Sequence, residues 1–296
     1  MVSAAVYAFA LVPAVLWGFS PILSKRGMAA GGSSLQAAIV VISVDAAVYW
    51  AALLALGHGA PFANAGRWAI GVFVVGGLVG TALGRIAVFA GVHRVGASVN
   101  TAAISVRPLF ATAIALVWLG EPVGPLTGLG VVVLVTGLLV LTGSRGGDLS
   151  GWTIRDLLFP LSAALAFAVG NVIRRFGLTT TDVTVLQAVT LNESAALVAL
   201  LAFVVATGRQ SAVLDAPRAT YRYFAGSGLL TAAALLALFE AFDRGPVAVV
   251  DSLAGTAPLF TTVFAAVLLG DLERVTKGVV VGAALIVVGA GLITLA

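Results

Sequence analysis

Polar positions are so sparse along this chain that they read as punctuation between apolar runs. Runs near 4–24, 35–56, 68–92, 97–118 and 124–142, then near 156–174, 184–207, 221–243, 247–268 and 275–295, each approach the length that crosses a bilayer as a helix, about 20 residues. The turns between them are short and marked by Gly, Pro or charge: KRGMAAGGSS, HGAPFANAGR, HRVG, GEPVGP, DRGP and GDLERVTKG. The pattern predicts an all-α integral membrane protein of ten transmembrane helices. One stretch, residues 143–155 (GSRGGDLSGWTIR), is both polar and glycine-rich between two groups of five spans. It reads as a linker between a first unit, 4–142, and a second, 156–295. An odd number of spans per unit makes the second enter the membrane in the opposite direction.

The two units are also related in sequence. Arg94 to Glu121 and Arg244 to Asp271 align without gaps at a spacing of 150, with Pro108/Pro258, Leu109/Leu259, Phe110/Phe260 and Gly120/Gly270 among the identities. The same spacing pairs Gly27 with Gly177, Gly76 with Gly226 and Gly128 with Gly278. Similar membrane units of opposite orientation form an inverted repeat around a central cavity, the layout of many secondary transporters, whose substrate site lies where the repeats meet. Gly76, Gly80 and Gly84, and the pair Gly278/Gly282, lie at spacings that let helix backbones pack closely.

Composition narrows the choice. Charged residues make up 9% and hydrophobic residues 60% of the chain, with a mean hydropathy of +1.13. Cysteine is absent, so no disulfide or thiolate metal site is possible, and two histidines, His58 and His93, do not make a metal centre. No cofactor is implied. The net charge of +4 comes from scattered basic residues and does not suggest nucleic acid. The N-terminus lacks a basic leader and runs on for a full span, so it reads as a retained first helix. GxxxxGK[ST] is absent, so nothing points to ATP hydrolysis as the energy source.

Short motifs give the chain a family likeness. Leu16-Trp17-Gly18-Phe19 followed by Lys25, and Pro108-Leu109-Phe110 through Leu119-Gly120-Glu121, repeated as Pro258-Leu259-Phe260 through Leu269-Gly270-Asp271, resemble the motifs of the EamA-type transporters of the drug/metabolite transporter superfamily. The resemblance covers essentially the whole chain. It implies a ten-helix inverted-repeat carrier in the cell membrane, moving small metabolites, amino acids or drugs by alternating access, commonly as an exporter, with both termini cytoplasmic. One position departs from the pattern: Arg107 precedes the first motif proline, where such proteins usually carry a small or uncharged residue.

Ionisable groups inside a bilayer are costly and need partners, water or a function. The spans enclose six: Asp45, Arg85, Arg107, Glu193, Glu240 and Asp251. Arg107 stands beside Pro108, and Pro258 occupies the matching place in the ninth span; each proline removes a backbone donor and breaks its helix. A guanidinium beside opened backbone suits a carboxylate or phosphate, so an anionic or zwitterionic cargo is preferred. Arg107, Trp17, Asn171, Asp251 and Glu240 are the candidate substrate-binding residues. Asp45 and Glu193, at roughly corresponding depths in the second and seventh spans, are candidates for proton or ion coupling, or else packing partners for Arg85 or Arg107. The plainer alternative pairs Arg107 with a buried acid such as Asp251, Glu240 or Asp45. Gln36 and Gln187 are softer candidates, and Arg174 and Arg175, ending the sixth span, read as reaching for headgroups.

The distribution of basic residues opposes the family's orientation. With the N-terminus inside, the cytoplasmic turns hold Arg67, Arg174, Arg175 and Arg244, against ten basic residues outside, contrary to the positive-inside rule. A membrane enzyme acting on lipid and a non-transporting receptor or assembly protein stay open as other functions, though no nucleophile–base pair or metal constellation supports the enzyme. Partners reduce to a small solute and the lipid bilayer, and a homodimer is compatible with both.

Overall fold

The computed structural model describes residues 4–56, 62–63, 65–107, 109–110, 124–144, 146–245 and 247–294. Its helices are α1 (Ala4–Ala29), α2 (Ser34–Ala55), α3 (Arg67–Val95), α4 (Ala97–Ile104), α5 (Pro125–Gly143), α6 (Leu158–Thr180), α7 (Val185–Ala206), a short α8 (Gln210–Leu214), α9 (Arg218–Arg244), α10 (Val247–Ala254), α11 (Ala257–Leu268) and α12 (Lys277–Thr294). Among the described residues, six segments are long and apolar enough to cross a membrane: Ala4–Ala29, Ser34–Ala55, Arg67–Val95, Ile154–Thr180, Val185–Ala206 and Arg218–Arg244. Large apolar side chains such as Val132, Val198, Leu229 and Val267 face outward, as lipid-facing positions should.

The helix starts follow their sequence. Ser33 and Thr184 accept hydrogen bonds from the backbone of Gln36 and Gln187, whose side chains reach back to the capping residues, so α2 and α7 begin with the same capping box. The turn between α3 and α4 needs Gly96, whose φ of +87° lies in the left-handed region. The first helix outruns its expected end: it continues through Lys25 and Arg26 to Ala29 instead of stopping near residue 24. Within α3, Gly77–Leu83 winds as a π-helix.

The fourth span is interrupted. Past Ile104, Ser105 and Val106 form a turn, and Val106 N–H bonds to Ala103 O at 3.3 Å, a three-residue step. The ninth span breaks at the matching place: α10 ends at Ala254, and Thr256 N–H bonds to Leu253 O at 3.1 Å before Pro258 opens α11. Pro108 lies outside the described residues.

Close helix contacts fall on glycines. A Cβ on Gly137 would lie 2.7 Å from Ile286 N, and one on Gly289 would lie 2.5 Å from Leu134 N, so α5 and α12 touch backbone to backbone. Gly80 of α3 and Gly170 of α6 meet in the same way; a Cβ on Gly170 would lie 2.5 Å from Gly80 Cα. Two motif segments also meet. A Cβ on Gly18 would lie 2.5 Å from Phe260 Cβ, so the motif glycine of α1 seats α11.

One end of the bundle is closed by a knot of distant segments. The strands β1 (Gly147–Asp148) and β2 (Glu273–Arg274) pair antiparallel, Gly147 opposite Arg274, and clip the inter-unit connection to the α11–α12 loop. Lys25, buried at the end of α1, is ion-paired with Asp148 and donates to Val92 O at 3.3 Å. Glu273 accepts from Ala97 N–H and, at 2.8 Å, from the Ser98 hydroxyl, capping α4. Burial alone raises the Asp148 carboxyl, but hydrogen bonds from Lys25 and Ser150 outweigh it and hold the group below its ordinary value. For Glu273 burial wins and pushes the carboxyl up, against the backbone donors of Ala97 and Ser98.

Candidate functional site

Polar side chains that no helix can point at lipid are gathered inward, and they converge on one cavity. It offers about 880 Å³ of atom-free space, open solvent at its mouth included. Trp17 of α1, Arg85 of α3, Asn100 of α4, Arg107 past the α4 break, and Asn171 and Arg174 of α6 all line it. Three guanidiniums therefore face one space.

Each is held differently. Arg85 donates to Asp45 Oδ2 at 2.7 Å and stands 3.8 Å from Glu193 Oε2, so acids from α2 and α7 flank a single cation. Arg174 donates to Asn171 Oδ1 at 2.9 Å, to Thr81 Oγ1 at 2.8 Å and to Asn192 Oδ1 at 3.3 Å, and its guanidinium lies over the Phe239 ring at 5.5 Å. Arg107 approaches Asp251 Oδ1 at 3.7 Å, too far for a hydrogen bond. Among the described residues it makes no hydrogen bond, and its buried Nε has no partner.

The three are joined into one polar chain. Thr81 donates to Glu193 Oε1 at 2.9 Å and accepts from Asn192 Nδ2 at 2.7 Å, while Asn192 Nδ2 also reaches Glu193 Oε1 at 3.0 Å. Asn171 Nδ2 donates to Asp251 Oδ1 at 2.9 Å, linking the Arg174 end to the Arg107 end. Three cations and three carboxylates make the chain balanced when all are ionised. The π-helical stretch of α3 carries Thr81 and leads directly into Arg85; such wide turns recur at functional sites. Thr231, 150 positions after Thr81, makes a different contact: it lies 3.1 Å from Ser20 Oγ, within a neutral hydroxyl cluster that includes Ser24 and Ser227.

The sequence-derived candidates are thus placed as follows. Trp17, Arg107 and Asn171 line the cavity, and Asp251 stands behind Arg107 and Asn171. Asp45 and Glu193 are brought together on Arg85. Pro258 is buried at the start of α11, next to cavity-lining Ala257. Glu240 stays apart: it pairs with Arg244 one turn further along α9, partly exposed, and is not an enclosed acid. Arg174 needs the larger correction. Because α6 continues to Thr180, this residue sits well inside the helix, 3% exposed, and does not reach for headgroups. Arg85 and Asn100 are cavity residues that the sequence reading did not assign. Arg85 was visible as an enclosed charge; Asn100 carried no signal beyond its polarity.

Arg174 also leaves the orientation count, since it is in no turn. At the opposite end Lys25, Arg26 and Arg94 are tied to Asp148, Asp271 and Asp156, so fewer basic residues there are free to meet a membrane surface.

The model of a family described as the EamA-like transporter family matches residues 4–143 and 155–295. None of the curated proteins matches the sequence. A protein crystal structure matches with a TM-score of 0.67 at 19% identity, over 99% of this chain and 97% of the other, a likeness of fold.

Proposed function

The chain belongs to the EamA-like transporter family, and on that premise we propose that this multi-pass membrane protein is a secondary carrier for a small anionic metabolite. The observation that carries the cargo's charge is Arg107, a cavity-facing guanidinium with a 3.7 Å approach to Asp251 and no hydrogen bond among the described residues. A carboxylate or phosphate entering the cavity would supply the bidentate acceptor that Asp251 does not. Arg85 and Arg174, already committed to protein acceptors, bound the space around it, and Trp17 offers an aromatic face. Asn171 and Asp251 hold the arrangement from behind.

In this reading residues 4–142 and 156–295 are two five-helix repeats of opposite orientation, rocking about the cavity, with both termini in the cytoplasm and 143–155 between them. The breaks at Ser105–Val106 and Gly255–Thr256 fall beside cavity-lining Ser105, Ala254 and Ala257, and broken helices are where carriers of this type hold solutes. Asp45 and Glu193, two carboxylates on one guanidinium, are the proposed proton-coupling groups.

The test is thermal stability of the purified protein against small anions, zwitterions and cations, since a ligand that binds the folded state raises apparent stability. Stabilisation by carboxylates or phosphates that vanishes in Arg107→Gln supports the reading. Stabilisation by cations that survives in the variant overturns it.

A further inference from the structure

Asn100 is the most under-bonded side chain in the cavity wall. It is 0% exposed, it lines the cavity, and both Oδ1 and Nδ2 lack a partner among the described residues. The other unbonded buried atoms there, Asp45 Oδ1, Glu193 Oε2, Arg85 Nη1 and Arg107 Nε, belong to charged groups that each have an opposite charge within 3.8 Å. Asn100 has nothing of the kind. A buried amide left unmatched is unfavourable on both its donor and its acceptor.

Its place is nevertheless shaped for it. A Cβ on Gly91 of α3 would run into Asn100 Oδ1 and lie 3.0 Å from Asn100 Cγ, so only glycine there admits the amide. Asn100 and Arg107 line the same cavity on either side of the α4 break, so one solute held there meets both.

We infer that Asn100 is a second anchor for the cargo, reading a neutral group that both donates and accepts hydrogen bonds, so that the carried solute is a carboxylate with an amide or hydroxyl at its far end. This rests on the anion-carrier reading above. The donor–acceptor requirement follows from the amide itself. An ammonium would satisfy Oδ1 and leave Nδ2 unmatched; a second carboxylate would do the reverse. A primary amide or a hydroxyl meets both.

Two probes of the same shape separate the anchors: glutaramate, a carboxylate ending in a primary amide, and its apolar isostere 5-methylhexanoate. Binding to the full-length protein is measured by titration calorimetry for wild type, Asn100→Leu and Arg107→Gln. Leucine shares asparagine's branching and carries no polar atom but is larger, so Asn100→Ala, which adds no bulk beside Gly91, is measured with it, and the preference should vanish in both. Wild type should prefer glutaramate by about tenfold, the scale of one matched polar group. Asn100→Leu should erase that preference while still binding both acids, and Arg107→Gln should lose both. Equal affinity for the two probes in wild type, or a preference that survives Asn100→Leu, overturns the Asn100 anchor while leaving Arg107 in place. If neither acid binds wild type, the anion reading itself fails, and the anchor with it. A large drop in melting temperature in Asn100→Leu with the probe ratio unchanged marks a structural amide and also overturns the proposal.

Discussion

Thr81 and Thr231 offer a controlled comparison, because one substitution at two repeat-related positions meets different chemistry. Thr81→Val removes a hydroxyl that donates to Glu193 Oε1 at 2.9 Å and accepts from Arg174 Nη2 at 2.8 Å and Asn192 Nδ2 at 2.7 Å. Glu193 and Asn192 keep each other at 3.0 Å, but Arg174 Nη2 is left as a buried charged donor without that acceptor. An unmatched charged donor together with two lost bonds to charged groups should cost about 2–4 kcal/mol. At Thr231 the hydroxyl bonds to Ser227 O at 2.8 Å in its own helix and to Ser20 Oγ at 3.1 Å, while Ser20 and Ser227 hold each other at 2.7 Å. Thr231→Val should therefore cost about 0.6 kcal/mol, the average for an interhelical bond within a membrane protein. Equilibrium unfolding in mixed micelles reads both numbers. Equal losses at the two positions, or a Thr81→Val loss below that of Thr231→Val, would refute the assignment of Thr81 as the node joining Glu193 to Arg174.

Four further outcomes follow from the same geometry. Gly170→Ala places a Cβ 2.5 Å from Gly80 Cα and should destabilise by about 1–3 kcal/mol through overpacking; unfolding within experimental error of wild type would show that α3 and α6 are not in backbone contact. Asp148, held below its ordinary pKa, contributes stability above that value that is lost as pH falls through the folded pKa, so Asp148→Asn should flatten the acid loss seen in wild type. Glu273, pushed up by burial, has the opposite sign: stability should rise as pH falls through its folded pKa, and Glu273→Gln should abolish that rise in a pH-resolved melting series. Because the chain has no cysteine, Thr180→Cys and Arg209→Cys report the two ends without background. With cytoplasmic termini, an impermeant maleimide on intact cells should label Cys at 209 and spare it at 180; the reverse pattern inverts the orientation.

Hydropathy located the six long helices well because insertion energy is summed over whole segments, and short turns with Gly or Pro leave little room for error. It failed where one residue's surroundings matter. Arg174 followed by Arg175 looks like a helix end, yet α6 continues past both and turns the first inward while the second reaches the Phe242 carbonyl. Glu240 stands amid apolar residues in sequence but takes an exposed partner one turn away, which a span count does not register. The paired breaks before Pro258 and near Arg107 sit where the repeated motif falls. The π-helical winding of Gly77–Leu83 has no sequence mark, because it depends on what α3 packs against. Asn100 was one polar residue among several, and its significance lies in what it fails to touch.

The β1–β2 clip bears on where this polypeptide could be opened. A connection between two halves is the usual place to cut, tag or permute a repeat protein, since such segments are commonly slack. Here Gly147 and Asp148 are strand residues, and the Lys25 ammonium closes on Asp148 from the end of α1. A backbone nick between them would leave the halves fastened by the ladder and the ion pair, while a bulky insertion would pry three remote segments apart at once. The more tolerant place is around Gly208, where an added Cβ would meet nothing within 4 Å. The seam in the sequence and the seam in the molecule are different places.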